Sequence, residues 1–210
     1  MKSVYLRSGL ALACAALLNA CGGGNGNLAL SGTITGLTKP DLVLINKKTN
    51  ERLAIPANST SFVFTRLAAV DEEFDIEIDT PPTGAKCTPV GTSNVGKANA
   101  YTSYSIGFSC ATNPWTLGGT VSGLRSKGLV LANGPDLVSV PPPATAGDPV
   151  SFTFPSKVGD GSPYGVTVLN QPKDPSAQVC TVSDPAGSPP GNPAGTMPAK
   201  DYAGLVVTCN

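Results

Sequence analysis

Leu30-Ser31-Gly32-Thr33-Ile34-Thr35-Gly36-Leu37 and Leu117-Gly118-Gly119-Thr120-Val121-Ser122-Gly123-Leu124 are one phrase written twice, 87 residues apart. Self-similarity at a nearly constant offset marks a repeated structural unit. Further landmarks follow in the same order. Leu42-Val43-Leu44 answers Leu129-Val130-Leu131, and Phe62-Val63-Phe64 answers Phe152-Thr153-Phe154. Phe74-Asp75-Ile76-Glu77-Ile78 answers Tyr164-Gly165-Val166-Thr167-Val168, Cys87 answers Cys180, and Cys110 answers Cys209. The offset grows from 87 at the first landmark to 99 at the last, so the extra length lies in loops between conserved segments.

Each landmark is short and suited to a strand. Phe74, Ile76 and Ile78 face one way and Asp75, Glu77 and Asp79 the other, the period of a strand half-buried on a sheet. Leu42 to Ile45 and Leu129 to Leu131 are unbroken apolar runs, expected of central strands. Clusters of Pro, Gly, Asn and Ser bound almost every segment. The chain holds 24 Gly and 20 Pro with only 13% charged residues, which disfavours long helices. The expectation is an all-β chain of two tandem, small antiparallel β-sandwich modules, Ig-like in architecture, with six or seven strands each. Module 1 is placed at residues 28–113 and module 2 at 114–210.

The first twenty residues carry Lys2 and Arg7, an apolar run from Gly9 to Leu18, and then Leu18-Asn19-Ala20-Cys21. The run is too short to span a bilayer and has the form of a cleaved leader. It resembles the lipobox of bacterial lipoproteins, with Leu18 three positions before the cut, the small Ala20 just before it and Cys21 as the lipidated residue. Asn19 departs from the small or hydroxyl residue usual there. The resemblance implies a signal peptide at 1–20, a diacylglyceryl thioether and an N-acyl chain (palmitate-type lipid) on Cys21, and membrane lipid as partner through that residue. Gly22 stands where lipoproteins retained in the inner membrane carry Asp, which implies the outer membrane, facing the periplasm or the surface. Residues 21–27, continuing as GGGNGN after the cysteine, read as a flexible tether. An ordinary secretory leader would instead leave Cys21 as a free thiol.

Cysteine parity argues for lipidation. Of six cysteines, Cys14 departs with the leader and Cys21 takes lipid, leaving Cys87, Cys110, Cys180 and Cys209 as an even set for an oxidising compartment. Four cysteines permit three connectivities. Pairing within each module is the economical one: Cys110 shares strand parity with Ile106 and Phe108, and Cys209 with Leu205 and Val207, which turns both toward a core. Closing loops of this size stabilises each module by roughly 3 kcal/mol in the chain-entropy model.

The repeat also resembles a module that recurs in exported bacterial proteins, with a GTVSGL opening, a GLVL strand, an SFTF strand, a YxVTVxxQP strand and two late cysteines. The second copy fits closely through Gly119 to Leu124, Gly128 to Leu131, Ser151 to Phe154, Tyr164 to Pro172, Cys180 and Cys209. The first is degenerate, with Phe74 for the tyrosine and Pro81-Pro82 for Gln171-Pro172. This likeness implies an architecture and no activity.

Charge is balanced, 14 basic against 14 acidic residues, and loss of Lys2 and Arg7 leaves a formal net charge of about −2. That gives no basic footprint for nucleic acid. The acidic run Asp71, Glu72, Glu73, Asp75, Glu77, Asp79 invites calcium, but alternate residues of a strand project along one face over about 13 Å instead of curling round a point. A solvated face paired with Lys47, Lys48 and Arg52 is the expected state, with a basic partner as the other use. Trp115 is expected to wedge the two modules together, and Tyr101 and Tyr104 to lie on the strand leading to Cys110. Phe74 and Tyr164 are expected in the cores. The loop from Asp184 to Lys200, long and proline-rich, is the candidate recognition element.

With no histidine in the chain, Ser-His and Cys-His nucleophile pairs and the commonest metal ligand are missing. A carboxylate pair could serve glycoside hydrolysis, but nothing places two across a cleft. The functional expectation is a membrane-anchored envelope lipoprotein acting as a non-catalytic binding or adhesion module for an envelope protein or glycan. A structural spacer or envelope-assembly accessory is the alternative. No cofactor, metal or catalytic residue is expected.

Overall fold

The structure, a computed structural model, describes residues 27–187 and 191–210. The leader, Cys21 and residues 22–26 of the tether lie outside the described residues.

The chain runs through β1 (Leu28–Thr35), β2 (Leu42–Asn46), β3 (Glu51–Ile55), β4 (Ser61–Ala68), β5 (Glu73–Thr80), β6 (Ala85–Pro89), β7 (Val95–Lys97) and β8 (Ile106–Thr112). A two-residue strand, β9 (Pro114–Trp115), leads into the second copy. There follow β10 (Leu117–Ser122), β11 (Leu129–Asn133), β12 (Asp136–Val140), β13 (Val150–Thr153), β14 (Val158–Gly159), β15 (Pro163–Asn170), β16 (Cys180–Ser183), β17 (Ala194–Thr196) and β18 (Tyr202–Cys209). Module 1 is a sandwich of sheets β4-β1-β8-β6 and β3-β2-β5-β7. Module 2 repeats that plan as β13-β10-β18-β16 and β12-β11-β15-β17. The apolar runs fall on β2 and β11, both interior strands of their sheets, as their composition requires.

Two details depart from expectation. Each module has eight strands in its two sheets rather than six or seven, because β7 and β17, three residues each, are too short to show alternation. One pairing in each sandwich is parallel, β1 with β8 and β10 with β18. The last strand of each module begins at the end of the sandwich where the first strand also begins, so the two run side by side in one direction.

Burial follows the alternation. Phe74 and Ile76 are buried while Glu73 and Glu77 are exposed. Leu30, Ile34, Leu44, Phe64, Phe74, Ile76 and Phe108 belong to one core; Leu117, Val121, Leu131, Phe154, Tyr164, Val166 and Val207 belong to the other. Each such side chain contributes about 1.5–3 kcal/mol on burial.

The glycines of the repeated phrase have a physical reason. A Cβ on Gly32 would stand 2.0 Å from the carbonyl oxygen of Ile106, and one on Gly119 would stand 2.0 Å from that of Leu205. Gly36 and Gly123 turn the chain with φ of +71° and +75°, each close against the carbonyl of its module's last cysteine. Only glycine lets the first strand approach the last so closely and then leave it.

The disulfides are Cys87–Cys110 and Cys180–Cys209. Each joins directly opposed residues of neighbouring strands, β6 with β8 and β16 with β18, so each staples one sheet and does not cross between the sheets.

Tyr101 and Tyr104 do not lie on β8 as expected. Tyr101 caps, and Tyr104 ends, a single turn of 3-10 helix, Thr102–Tyr104, ahead of that strand. The Asn99 side chain accepts from the amides of Tyr101 (2.8 Å) and Thr102 (3.0 Å), and Thr102 Oγ1 accepts from the amide of Asn99 (3.0 Å). Such local bonds from side chain to backbone compete with strand pairing and win here.

Candidate functional site

Four polar constellations could carry function, and three of them are spent on structure. The first is the acidic face of β5. Lys47 pairs with Glu77 (3.3 Å), Lys48 with Glu73 (3.1 Å), and Arg52 reaches both oxygens of Asp79 (3.1 and 3.2 Å). Glu72 pairs with Arg66, whose guanidinium holds that carboxyl below the usual range. Lys47, Lys48 and Arg52, named from the sequence, are found in pairs with this run, and Arg66 joins them unforeseen. Among the described residues no group of three or more Cys, Asp or Glu side chains is placed to hold a metal ion.

The second lies where the modules meet. β9 pairs with β14, and the Asp160 amide donates to the carbonyl of Asn113 (2.8 Å). Lys39 of module 1 reaches Asp160 of module 2 (2.6 Å), and Trp115 Nε1 donates to the other oxygen of that carboxylate (3.4 Å). The Lys39 ammonium holds the Asp160 carboxyl below its ordinary range, while desolvation opposes the shift. Trp115 packs against the second core. Trp115 thus sits on module 2 beside a charge clasp to which module 1 supplies Lys39.

The third is Asp184, fully buried. The hydroxyls of Tyr164 and Tyr202 both donate to its carboxylate, one to each oxygen. Burial, reinforced by the neighbouring carboxylate, pushes Tyr164 far upward and Tyr202 to about 12. Asp184 also accepts from the amide of Ala186 at its side chain (3.0 Å), and its carbonyl accepts from the amides of Gly187 (3.1 Å) and Gly191 (2.8 Å). Further along, β17 pairs with β15 and Met197 is buried. Most of the described part of the Asp184–Lys200 loop is thus fastened to module 2. Sequence reasoning placed Tyr164 in the core and missed the partner of its hydroxyl. A buried tyrosine where the other repeat has Phe74 was the available signal, since a buried hydroxyl needs an acceptor.

The fourth is open. A groove of about 580 Å³ in module 1 runs between the end of β1 and the connection from β3 to β4. Thr33, Thr35, Thr38, Asn58, Ser59 and Thr60 line it, with Ile34 and Leu37 beneath. It offers hydroxyl, amide and backbone groups and no ionisable side chain. It can hydrogen-bond a neutral polar ligand, but it contains no general base to activate its hydroxyls.

The four cysteines expected in disulfides are brought together in their two pairs. Cys21 lies outside the described residues. No protein-family model matches this sequence, and no curated protein matches it.

Proposed function

We propose that this chain is an envelope lipoprotein, anchored through lipid on Cys21 to the outer membrane, whose folded part is a non-catalytic binding module. The observation that carries the binding reading is the Thr33–Thr38 and Asn58–Thr60 groove, open and uncharged, with hydroxyl and amide groups set in a mostly apolar lining. Its chemistry suits an uncharged glycan or an extended segment of an envelope protein. Among the described residues no buried side-chain nitrogen or oxygen lacks a partner.

The test is capture of envelope material by the mature protein, compared with the exposed substitutions Thr33→Ala and Asn58→Ala made together. Loss of most of the captured glycan or protein, with the circular dichroism spectrum unchanged, is the expected outcome. Undiminished capture by the double variant would end the groove reading.

A spacer role is favoured by a separate observation, the clasp of Lys39 and Asp160 over Trp115, which fastens one module to the next. A stalk needs such a joint. Asp160→Asn combined with groove variants that change nothing would leave the spacer as the better account.

A further inference from the structure

Four of the seven large exposed apolar residues of module 1, Leu67, Val70, Tyr101 and Tyr104, gather at the end where the chain enters it. β1 begins at Leu28, whose register partner is Ala68, and Ala29 faces Leu67. Leu67 is 47% exposed, and Val70, in the turn just beyond, is 63% exposed. That turn is tied to the next connection, since the Asp71 amide donates to the carbonyl of Ala98 (2.8 Å). The connection carries Tyr101, 86% exposed, and Tyr104, 58% exposed, and it packs on β1, where Ser31 Oγ donates to the carbonyl of Ser103 (3.5 Å). The opposite end of module 1 is occupied by module 2 through Lys39 and Asp160.

We propose that this end of module 1 rests on the lipid surface, with Val70 and Tyr101 at the tip and Leu67 and Tyr104 on its flank. The inference relies on the lipid anchor at Cys21. Six residues separate that cysteine from Leu28, and a chain of that length, fully extended, reaches no more than about 24 Å. Leu28 is therefore held close to the headgroups, and the loops surrounding it are the first to meet them. Tyrosine suits that position, with an apolar ring for the acyl boundary and a hydroxyl for the headgroups. Charge does not oppose contact: at this end Arg66 pairs with Glu72 and Lys48 with Glu73, and Lys97 is offset by Asp71 and Glu51. Contact should therefore form on neutral lipid and need no anionic headgroup.

The test uses the mature acylated protein on phosphatidylcholine vesicles. In a Trp115→Phe background, Tyr101→Trp and, separately, Val70→Trp report contact through quenching by brominated acyl chains. Leu137→Trp, an exposed position of module 2, is the control. At least a twofold fall in emission is expected for the first two and none for the control. Protein that floats with the vesicles but shows no quenching at either module 1 position overturns the contact while leaving the anchor standing, and would return these side chains to an envelope-protein partner. Protein that carries no acyl chain and does not float overturns the anchor, and the contact with it.

Discussion

Module 1 carries Asp75, Glu77 and Asp79 along the strand where module 2 carries Gly165, Thr167 and Leu169; module 2 buries Gln178 and Tyr164 where module 1 has Ala85 and Phe74, and adds the buried Asp184. The same eight-strand plan thus carries a row of surface ion pairs in one copy and more buried polar bonds in the other. In module 2, Gln171 Nε2 donates to the carbonyl of Cys180 (3.0 Å), and its Oε1 accepts from the Cys180 amide (2.7 Å). Gln178 donates to the Gly123 carbonyl (2.9 Å) and accepts from the amides of Arg125 (2.7 Å) and Ser126 (2.9 Å). Two residues before the first cysteine of each pair, Ala85 stands in the place of Gln178 and can do none of this. What the copies share are the contacts the fold cannot omit. Asn46 Oδ1 accepts from the Asp75 amide (3.3 Å) as Asn133 Oδ1 accepts from that of Gly165 (3.0 Å), each joining the second strand to the fifth. Internal polar bonds fix a single geometry, whereas surface ion pairs leave the outer face available for change. Module 2 holds more of the internal polar network, and module 1 holds the groove and the exposed apolar side chains on which the proposed contacts rest.

The sharpest way to break this comparison is Asp184→Ala. It strips the buried Tyr164 hydroxyl and the half-buried Tyr202 hydroxyl of their acceptor and frees the Ala186 amide, and it should destabilise module 2 by about 3–5 kcal/mol. Urea unfolding followed by Trp115 fluorescence measures it. A loss under 1 kcal/mol would mean the cluster is ornamental.

Alkaline pH separates the modules next. Tyr202 is raised from its ordinary value of 10.0 to about 12, and Tyr164 is raised further, so the folded state holds these protons more tightly than the unfolded chain. The associated stability is fully present below pH 10.0 and is lost as pH climbs through the folded values. Thermal scans above pH 10 should show module 2 weakening first, since module 1 has Phe74 in place of Tyr164. Unfolding of both modules in step, or module 1 first, would contradict that order.

Smaller is Gln178→Ala, which leaves the Gly123 carbonyl and two amides without their side-chain partner and should cost about 1–3 kcal/mol. The reciprocal Ala85→Gln should gain little, since module 1 is packed around alanine. Smallest is the charge row. Glu77→Gln, in a pair half exposed on both sides, and Arg52→Ala, in a pair whose guanidinium is well exposed, should each shift stability by less than about 0.5 kcal/mol, and less still in 1 M salt. A salt-independent loss above 1 kcal/mol would show that module 1 also depends on its polar groups.

Much of this fold was legible because it was stated twice. Gly32 and Gly36 recur as Gly119 and Gly123 since the backbone contact they permit tolerates no Cβ, and Phe74, Ile76 and Ile78 alternate because one face of β5 lies against the core. The cysteine pairs followed from strand parity. What escaped notice has physical causes too. The parallel pairing of first and last strands depends on a crossing between sheets that alternation does not encode. The turn at Tyr101 depends on bonds from Asn99 and Thr102, local chemistry that an aromatic-rich segment conceals. The Asp184 cluster joins residues 20 and 18 positions apart, a separation no local pattern reports.

Intact mass of the mature chain, extracted from the membrane fraction, tests the central claim most directly. The account predicts a polypeptide that begins at Cys21 and carries a diacylglyceryl group and an N-acyl chain, with Cys87, Cys110, Cys180 and Cys209 all oxidised. A chain cut elsewhere, or one beginning at Cys21 with an unmodified thiol, would contradict it.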